Sequence, residues 1–329
     1  MVSTPKVLTH TLSGDFIGVN SITVTEAYNS TMAQAVISCR RFDGSLGDDL
    51  SFDMGFSGDS GKIFTGYIRN IDVSIPDAVT RVVAEDELSK AMEYFMAATD
   101  PQNPFTRTNI QTEDLVEDIL NEAQITNYAY NVPLSVTWAT QGELEFNLVT
   151  AWQAASTIVD ALAWHLYADR NGQVHLVDRP PYDDGDSADF DWDLADEEFL
   201  TLVHTKSTNN LRNRIVVYGK NNLSASASDT SPYLPVGFYK TGVIATQAID
   251  NATLAQQTAD LNLIRMNRLT ETITCEVEGD YSIEPRKFVR VTAVDTDTGM
   301  NISGSDWFIY QVEHRMDNSG YRCNLTLNK

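Results

Sequence analysis

The stretches LTETITCEVE (269–278) and YRCNLTLN (321–328) decide the fold class. In the first, Leu269, Ile273, Cys275 and Val277 hold odd positions, with Glu271 the one polar exception. Thr270, Thr272, Thr274, Glu276 and Glu278 stand between them. In the second, Tyr321, Cys323, Leu325 and Leu327 alternate with Arg322, Asn324, Thr326 and Asn328. A period of two makes one face buried and one wet, the mark of half-buried strands. Phe288–Ala293 and Trp307–His314, which lie between the two, are rich in β-formers. A helical pattern over roughly Thr253–Arg268 precedes them, with Ala255, Ala259, Leu263 and Met266 in phase and Thr253 and Gln256 spaced for a capping box. The C-terminal region is expected to be a meander or small barrel following one helix.

Residues 1–84 read the same way. Ile22–Ala27, Ala33–Arg40, Leu50–Met54, Ile63–Ile75 and Thr80–Ala84 are strand-like, and Asp43-Gly44, Ser57-Gly58-Asp59 and Pro76-Asp77 break them. Residues 85–180 change character. Leu88, Met92 and Phe95 mark a helix behind the acidic start Glu85–Glu87. A second helix from Thr112 carries Leu115, Ile119 and Ala123, and a third carries Trp152, Ala155, Val159 and Leu162. A hairpin over His165–Val177 turns at Asn171-Gly172, a pair that tolerates positive φ. Leu223–Ser231, built from Ser, Ala and Asp, is expected to be a mobile loop. The fold class is thus mainly β with an α+β insertion. The expected division is a first β-barrel domain over 1–84, an α+β middle domain over 85–199, and a second β-barrel domain with a packed helix over 200–329.

The 46 acids outnumber the 23 bases, for a net charge of −23 in 329 residues. Such a field repels nucleic acid and argues against sequence-specific DNA binding. A soluble acidic surface, a saline habitat and a wall that lets DNA pass without sticking all remain open. No run reaches membrane-helix length and the first residues lack a signal-peptide plan, so the protein is expected to be soluble and made on the cytoplasmic side. The odd count and wide spacing of Cys39, Cys275 and Cys323 fit neither a disulfide framework nor a zinc site, and Cys275 and Cys323, on apolar strand faces, read as small buried hydrophobes.

Candidate chemistry is sparse. The acids Asp183, Asp184, Asp186, Asp189, Asp191 and Asp193 continue to Glu198 with no base among them, giving an acidic segment over 183–198. A calcium loop needs alternating acids, a glycine and a distant Glu, and this spacing does not supply them. Glu143 and Glu145 flank Leu144 and share a strand face, the raw requirement for two-carboxylate hydrolysis. His165 and His175 stand on the two arms of the hairpin, but no metal-binding spacing accompanies them. No nucleophile motif and no phosphate-cradling loop is present, so no catalytic residue, cofactor or metal is expected.

One order of elements is similar to a known family. The strand Asn213–Gly219, the helix with Ala259 and Leu263, the RLTETIT strand, the excursion EGDYSIEP (278–285) into Phe288–Val291, WFIYQVEH (307–314) and the closing Tyr321–Leu327 strand follow one another. This resembles the baseplate hub proteins of tailed phages: the late control protein D group, the hubs of contractile phages and the hub part of type VI secretion spikes. At the N-terminus IFTGYI (63–68), VVAED (82–86), Thr112–Ile125 and ADRNG (168–172) resemble the family's elements. The chain departs from it at Arg286-Lys287, where Gly is frequent after the proline, and in the acidic segment.

The resemblance implies two tail-tube-like barrels per chain and a homotrimer whose six barrels match a six-fold tail tube. It implies a place at the tail tip of a virion assembled in a bacterial host. Tail tube and distal tail proteins, a central fibre or spike and a tape measure protein would be neighbours, and DNA would pass through a central channel. The six acids Asp183–Asp193 are then candidates for the channel wall, and Thr270, Thr272, Thr274, Glu276, Arg322, Asn324 and Thr326 for the tube or lumen side. A cell-wall hydrolase and a carbohydrate-binding adhesin are the alternatives.

Overall fold

A computed structural model describes residues 8–12, 16–28, 32–97, 100–131, 136–140, 143–162, 164–177, 188–193, 199–231, 234–267, 271–295, 297 and 299–329. The strands foreseen at both ends are present and longer than their sequence signals. Six N-terminal strands are Leu8–Leu12, Phe16–Ala27, Gln34–Phe42, Asp49–Phe56, Asp59–Ser74 and Val79–Glu85. They pair in the order first, fourth, fifth, sixth, third, second. Six C-terminal strands are Phe190–Asp193, Phe199–Lys206, Glu271–Glu278, Phe288–Asp295, Met300–Asp317 and Gly320–Asn328, and they pair in the same order.

The irregularities coincide as well. The second-to-third ladder slips at Val19/Ser21 in one set and Phe199/Thr201 in the other. The fifth-to-sixth ladder slips at Ile68/Asn70 and at Ile309/Gln311. The fourth-to-fifth ladder slips after Phe52 and after Val291. A bulge needs a local cause, so three matched bulges mark two copies of one topology. The first strand breaks the match: it is antiparallel to the fourth in the N-terminal set and parallel to it in the C-terminal set.

One ladder fuses the sets into a single twelve-stranded sheet. Phe16–Ala27 runs antiparallel to Met300–Asp317, with Ile22 opposite Met316 and Ala27 opposite Gln311. Among the described residues neither set closes into a barrel by hydrogen bonds, contrary to the expected pair of closed barrels. The physical reason is visible in the N-terminal set, where the edge of Phe16–Ala27 that closure would need is taken by Met300–Asp317. One apolar core runs beneath both sets and includes Ile22, Phe52, Phe64, Trp307 and Leu325.

A second core gathers the helices. These are α1 (Ser89–Glu93), α2 (Thr112–Glu122), α3 (Ala151–Ala161) and α4 (Ala252–Met266). α2 buries Leu115 and Ile119, and α3 opens with a capping box between Thr150 and Gln153. Three local expectations are corrected. α1 stops at Glu93, because Tyr94 turns extended and Met96 pairs by backbone with Val149; Phe95 is exposed and bridges Thr150. α4 is capped by Asn251, whose side chain accepts the Leu254 N–H at 2.9 Å, and not by a Thr253–Gln256 box. Ser224–Ser228 is a strand rather than a loop, paired with Arg214–Tyr218. Its Ala225 and Ala227 turn inward and its serines outward, and small residues let α4 lie close upon it. Among the described residues no helix is long and apolar enough to cross a membrane.

Candidate assembly site

The hairpin of His165–Ala168 and Val174–Val177 carries its five-residue tip into the junction between the two strand sets. Within the tip, the Asp169 carboxylate accepts the N–H groups of Asn171 and Gln173 at 2.9 Å each, and Gly172 takes the left-handed φ of +79°. Asn171 is not left-handed, so the turn is wider than a two-residue Asn-Gly hairpin.

This geometry delivers Arg170. Its Nε donates to Glu26 Oε1 at 2.9 Å, its Nη1 to the Tyr281 carbonyl, and its Nη2 to the Ile283 carbonyl at 2.6 Å. Nη2 also lies 2.9 Å from His314 Nε2, and the Arg170 carbonyl accepts from Thr65 Oγ1 at 2.8 Å. The side chains of Arg170 and Glu26 are only 11% and 8% exposed. One residue therefore ties the first set to the second: its guanidinium joins Glu26 to Tyr281, Ile283 and His314, and its carbonyl holds Thr65. Burial opposes its charge, but Glu26 and Glu284 offset that and raise its pKa.

His314 is fully buried, and burial together with the Arg170 charge holds its pKa well below the usual histidine range. The imidazole is thus neutral, with Nε2 between the Arg170 guanidinium at 2.9 Å and the Ile283 carbonyl at 3.0 Å, and Nδ1 facing Tyr321 Oη at 2.8 Å. Nearby, Asp86 accepts the N–H of Ala33 at 2.6 Å and of Leu88 at 2.9 Å. Burial pushes its carboxyl up to about 8, the two N–H bonds oppose the rise, and Glu26 and Glu85 add to it. Arg286 takes a φ of +81°, the conformation that favours glycine, and its guanidinium lies 3.7 Å from the Tyr167 ring centroid. Nothing in the sequence singles out Arg170, because a charged residue at a hairpin tip ordinarily faces water.

Of the six acids expected at a channel, Asp183, Asp184 and Asp186 lie outside the described residues. Asp189, Asp191 and Asp193 lie at or in the edge strand Phe190–Asp193. Asp189 Oδ2 accepts the Phe288 N–H at 2.9 Å, and Asp191 stands opposite Arg290. Arg290 bonds Asp306 at 2.8 Å, which raises its pKa, with Asp191 adding to the effect. Trp192 stacks on Phe190 and meets Phe199 edge-on. Among the described residues no group of three His, Cys, Asp or Glu is placed to hold a metal. Glu143 and Glu145 are both exposed, so this pair does not supply the apolar site that a neutral general acid needs. His165 and His175 flank Tyr167 in an aromatic stack, and His175 Nε2 bonds Asp169 at 3.2 Å. All three cysteines are buried and free, as the strand-face positions of Cys275 and Cys323 led one to expect for those two.

Two of the strand edges that stand open among the described residues carry exposed apolar side chains. Phe199–Lys206 pairs only with Glu271–Glu278. Asp59–Ser74 is covered on its second edge only as far as Ile68, which exchanges backbone bonds with Gly47 and Asp48. Apolar side chains crowd both edges: Val203 is 60% exposed, Val73 68% and Ile75 86%. Open edges with apolar flanks invite pairing with another chain.

No protein-family model and no curated protein sequence matches the chain. Solved structures do. A tail protein from Neisseria meningitidis MC58 superposes with a TM-score of 0.72 at 13% identity, over 98% of this chain and 97% of the other. The 43 kDa tail protein of prophage MuSo2 from Shewanella oneidensis gives 0.71 at 11% identity, over 99% and 98%. The chain has the fold of phage tail proteins. This tail-protein fold also covers 97% of the chain against 76% of the E. coli c3393 protein, a type VI secretion component, with a TM-score of 0.60 at 10% identity. The c3393 protein is itself described as structurally similar to the T4 tail proteins gp27 and gp5.

Proposed function

We propose that the protein is a structural hub at the tip of a phage tail or phage-like particle, where three copies form a ring around the DNA path. The observation that carries this reading is the duplicated six-stranded topology in one chain. Three chains bring six similar strand sets to meet a six-fold tube above, while the molecule keeps three-fold symmetry for a fibre or spike below. The tail-protein fold favours a structural over a chemical role. Tail tube, distal tail, tape measure and central fibre proteins are the proposed neighbours, in a virion assembled in the host cytoplasm. The segment 183–198, with Asp189, Asp191 and Asp193, is proposed to line the channel or its mouth, where negative charge keeps phosphates from sticking. Imaging of the assembled particle tests all of this: three-fold density of this chain directly below the tube is expected. Density on the outer tail surface, or acids turned away from any pore, would overturn it.

A further inference from the structure

The duplication specifies how one copy would join the next. Within the chain, the second strand of the first set, Phe16–Ala27, lends its edge to the fifth strand of the second set, Met300–Asp317. The reciprocal pair is unused. Among the described residues the second strand of the second set, Phe199–Lys206, has an open edge, and so has the end of the fifth strand of the first set, Asp59–Ser74. We propose that these two edges pair between neighbouring copies of this chain, in the register that the internal ladder already displays. The inference rests on the hub reading for its three-fold closure.

The register follows from matched ladders. Ile22 and Leu202 are equivalent, since they sit opposite Ile37 and Cys275, which in turn sit opposite Val82 and Leu325. Ile71 and Val312 are equivalent, since Val82 and Leu325 are their partners on the sixth strands. The internal pairs Ile22–Met316, Thr23–Arg315, Val24–His314 and Glu26–Val312 then translate into Leu202–Ile75, Val203–Ser74, His204–Val73 and Lys206–Ile71 across the seam.

The side chains suit this placement. Met316, His314 and Val312 are buried by the internal ladder, whereas their equivalents Ile75 and Val73 are exposed and Ile71 is only partly buried. The seam would cover them with Leu202, the His204 ring and the Lys206 stem. Even the unusual pair recurs inverted: Val24 faces His314 inside the chain, and His204 would face Val73 between chains. A contact that joins different edges on the two partners is heterologous, so its repetition closes a ring or grows a filament.

Disulfide trapping of the full-length chain tests the seam. Val203 and Ser74 would form a pair without mutual backbone hydrogen bonds, the closer-spaced kind, and the three native cysteines are buried. The variant V203C/S74C should link on mild oxidation into a species of three times the monomer mass that reduction abolishes. V203C/D72C, offset by two residues, should link far more slowly. A trimer by light scattering with no V203C/S74C link, or with equal linking of the offset pair, overturns the seam and leaves the hub reading standing. An open-ended ladder of linked species overturns the three-fold closure and with it the ring. A chain that stays monomeric and unlinked up to about 1 mM, where even weak specific contacts associate, overturns both.

Discussion

At the scale of single residues the molecule depends on a cation in its interior. Arg170 and Glu26 are a buried pair with little water around either. Removing one partner leaves the other charge stranded, which costs on the order of 3–5 kcal/mol, whereas replacing both with apolar groups often costs much less. R170M is therefore expected to lower stability by about that amount, and E26L/R170M to recover most of it in a double-mutant cycle read by urea unfolding. A loss that adds instead of recovering would mean that the carbonyls of Tyr281 and Ile283 matter more than the ion pair. Asp86 gives a pH signature. Its folded pKa of about 8 lies above its ordinary 3.8. The folded chain thus keeps a proton that the unfolded chain has released, and stability contributed by this group is present below the unfolded pKa and lost as pH rises towards the folded one. D86N removes that titration, so the decline in stability from about pH 4 to pH 8 should flatten in the variant. An unchanged slope would place the titration elsewhere.

At the scale of elements, the strand Ser224–Ser228 shows how close packing sets side-chain size. Ala227 is buried beneath α4, and A227L would overpack that contact, with a destabilisation of about 1–3 kcal/mol expected in thermal or urea unfolding. The same strand explains what could and could not be read beforehand. Ile273, Cys275, Val277 and Tyr321, Cys323, Leu325 announced their strands because one face is apolar and the other wet. In Ser224–Ser228 the alternation is present but runs between Ala and Ser, too little contrast to stand out from a polar loop. α2 and α3 were legible from their apolar spacing. α1 was overextended because the Phe95 in phase with Leu88 and Met92 belongs to extended backbone that pairs near Thr150. The pairing order escaped altogether, since it depends on contacts between residues far apart in the chain. The Arg170 tie was hidden for the same reason: its acceptors are backbone carbonyls of Tyr281 and Ile283, which no side-chain pattern encodes.

At the scale of the whole molecule, charge and assembly pull against each other. Each chain carries −23, so bringing copies together is opposed by long-range repulsion that salt screens over about 10 Å at 0.1 M. Self-association should therefore strengthen when ionic strength rises from about 0.05 to 0.5 M, the reverse of a protein that binds nucleic acid through basic groups. Sedimentation velocity across that range reads the effect directly. Association that weakens with salt would point to an interface held by opposite charges instead of by apolar strand edges.

The ladder between Phe16–Ala27 and Met300–Asp317 also governs how the chain is made. Its partners sit at opposite ends of the polypeptide, so at ribosomal rates of about 5–20 residues per second the N-terminal edge waits roughly 15–60 s for its own mate. During that interval the C-terminal strand of another copy that has not yet closed its own ladder can occupy the edge first. Synthesis at high local concentration should then yield strand-exchanged oligomers with the same local pairing as the native fold, and slow or dilute synthesis should suppress them.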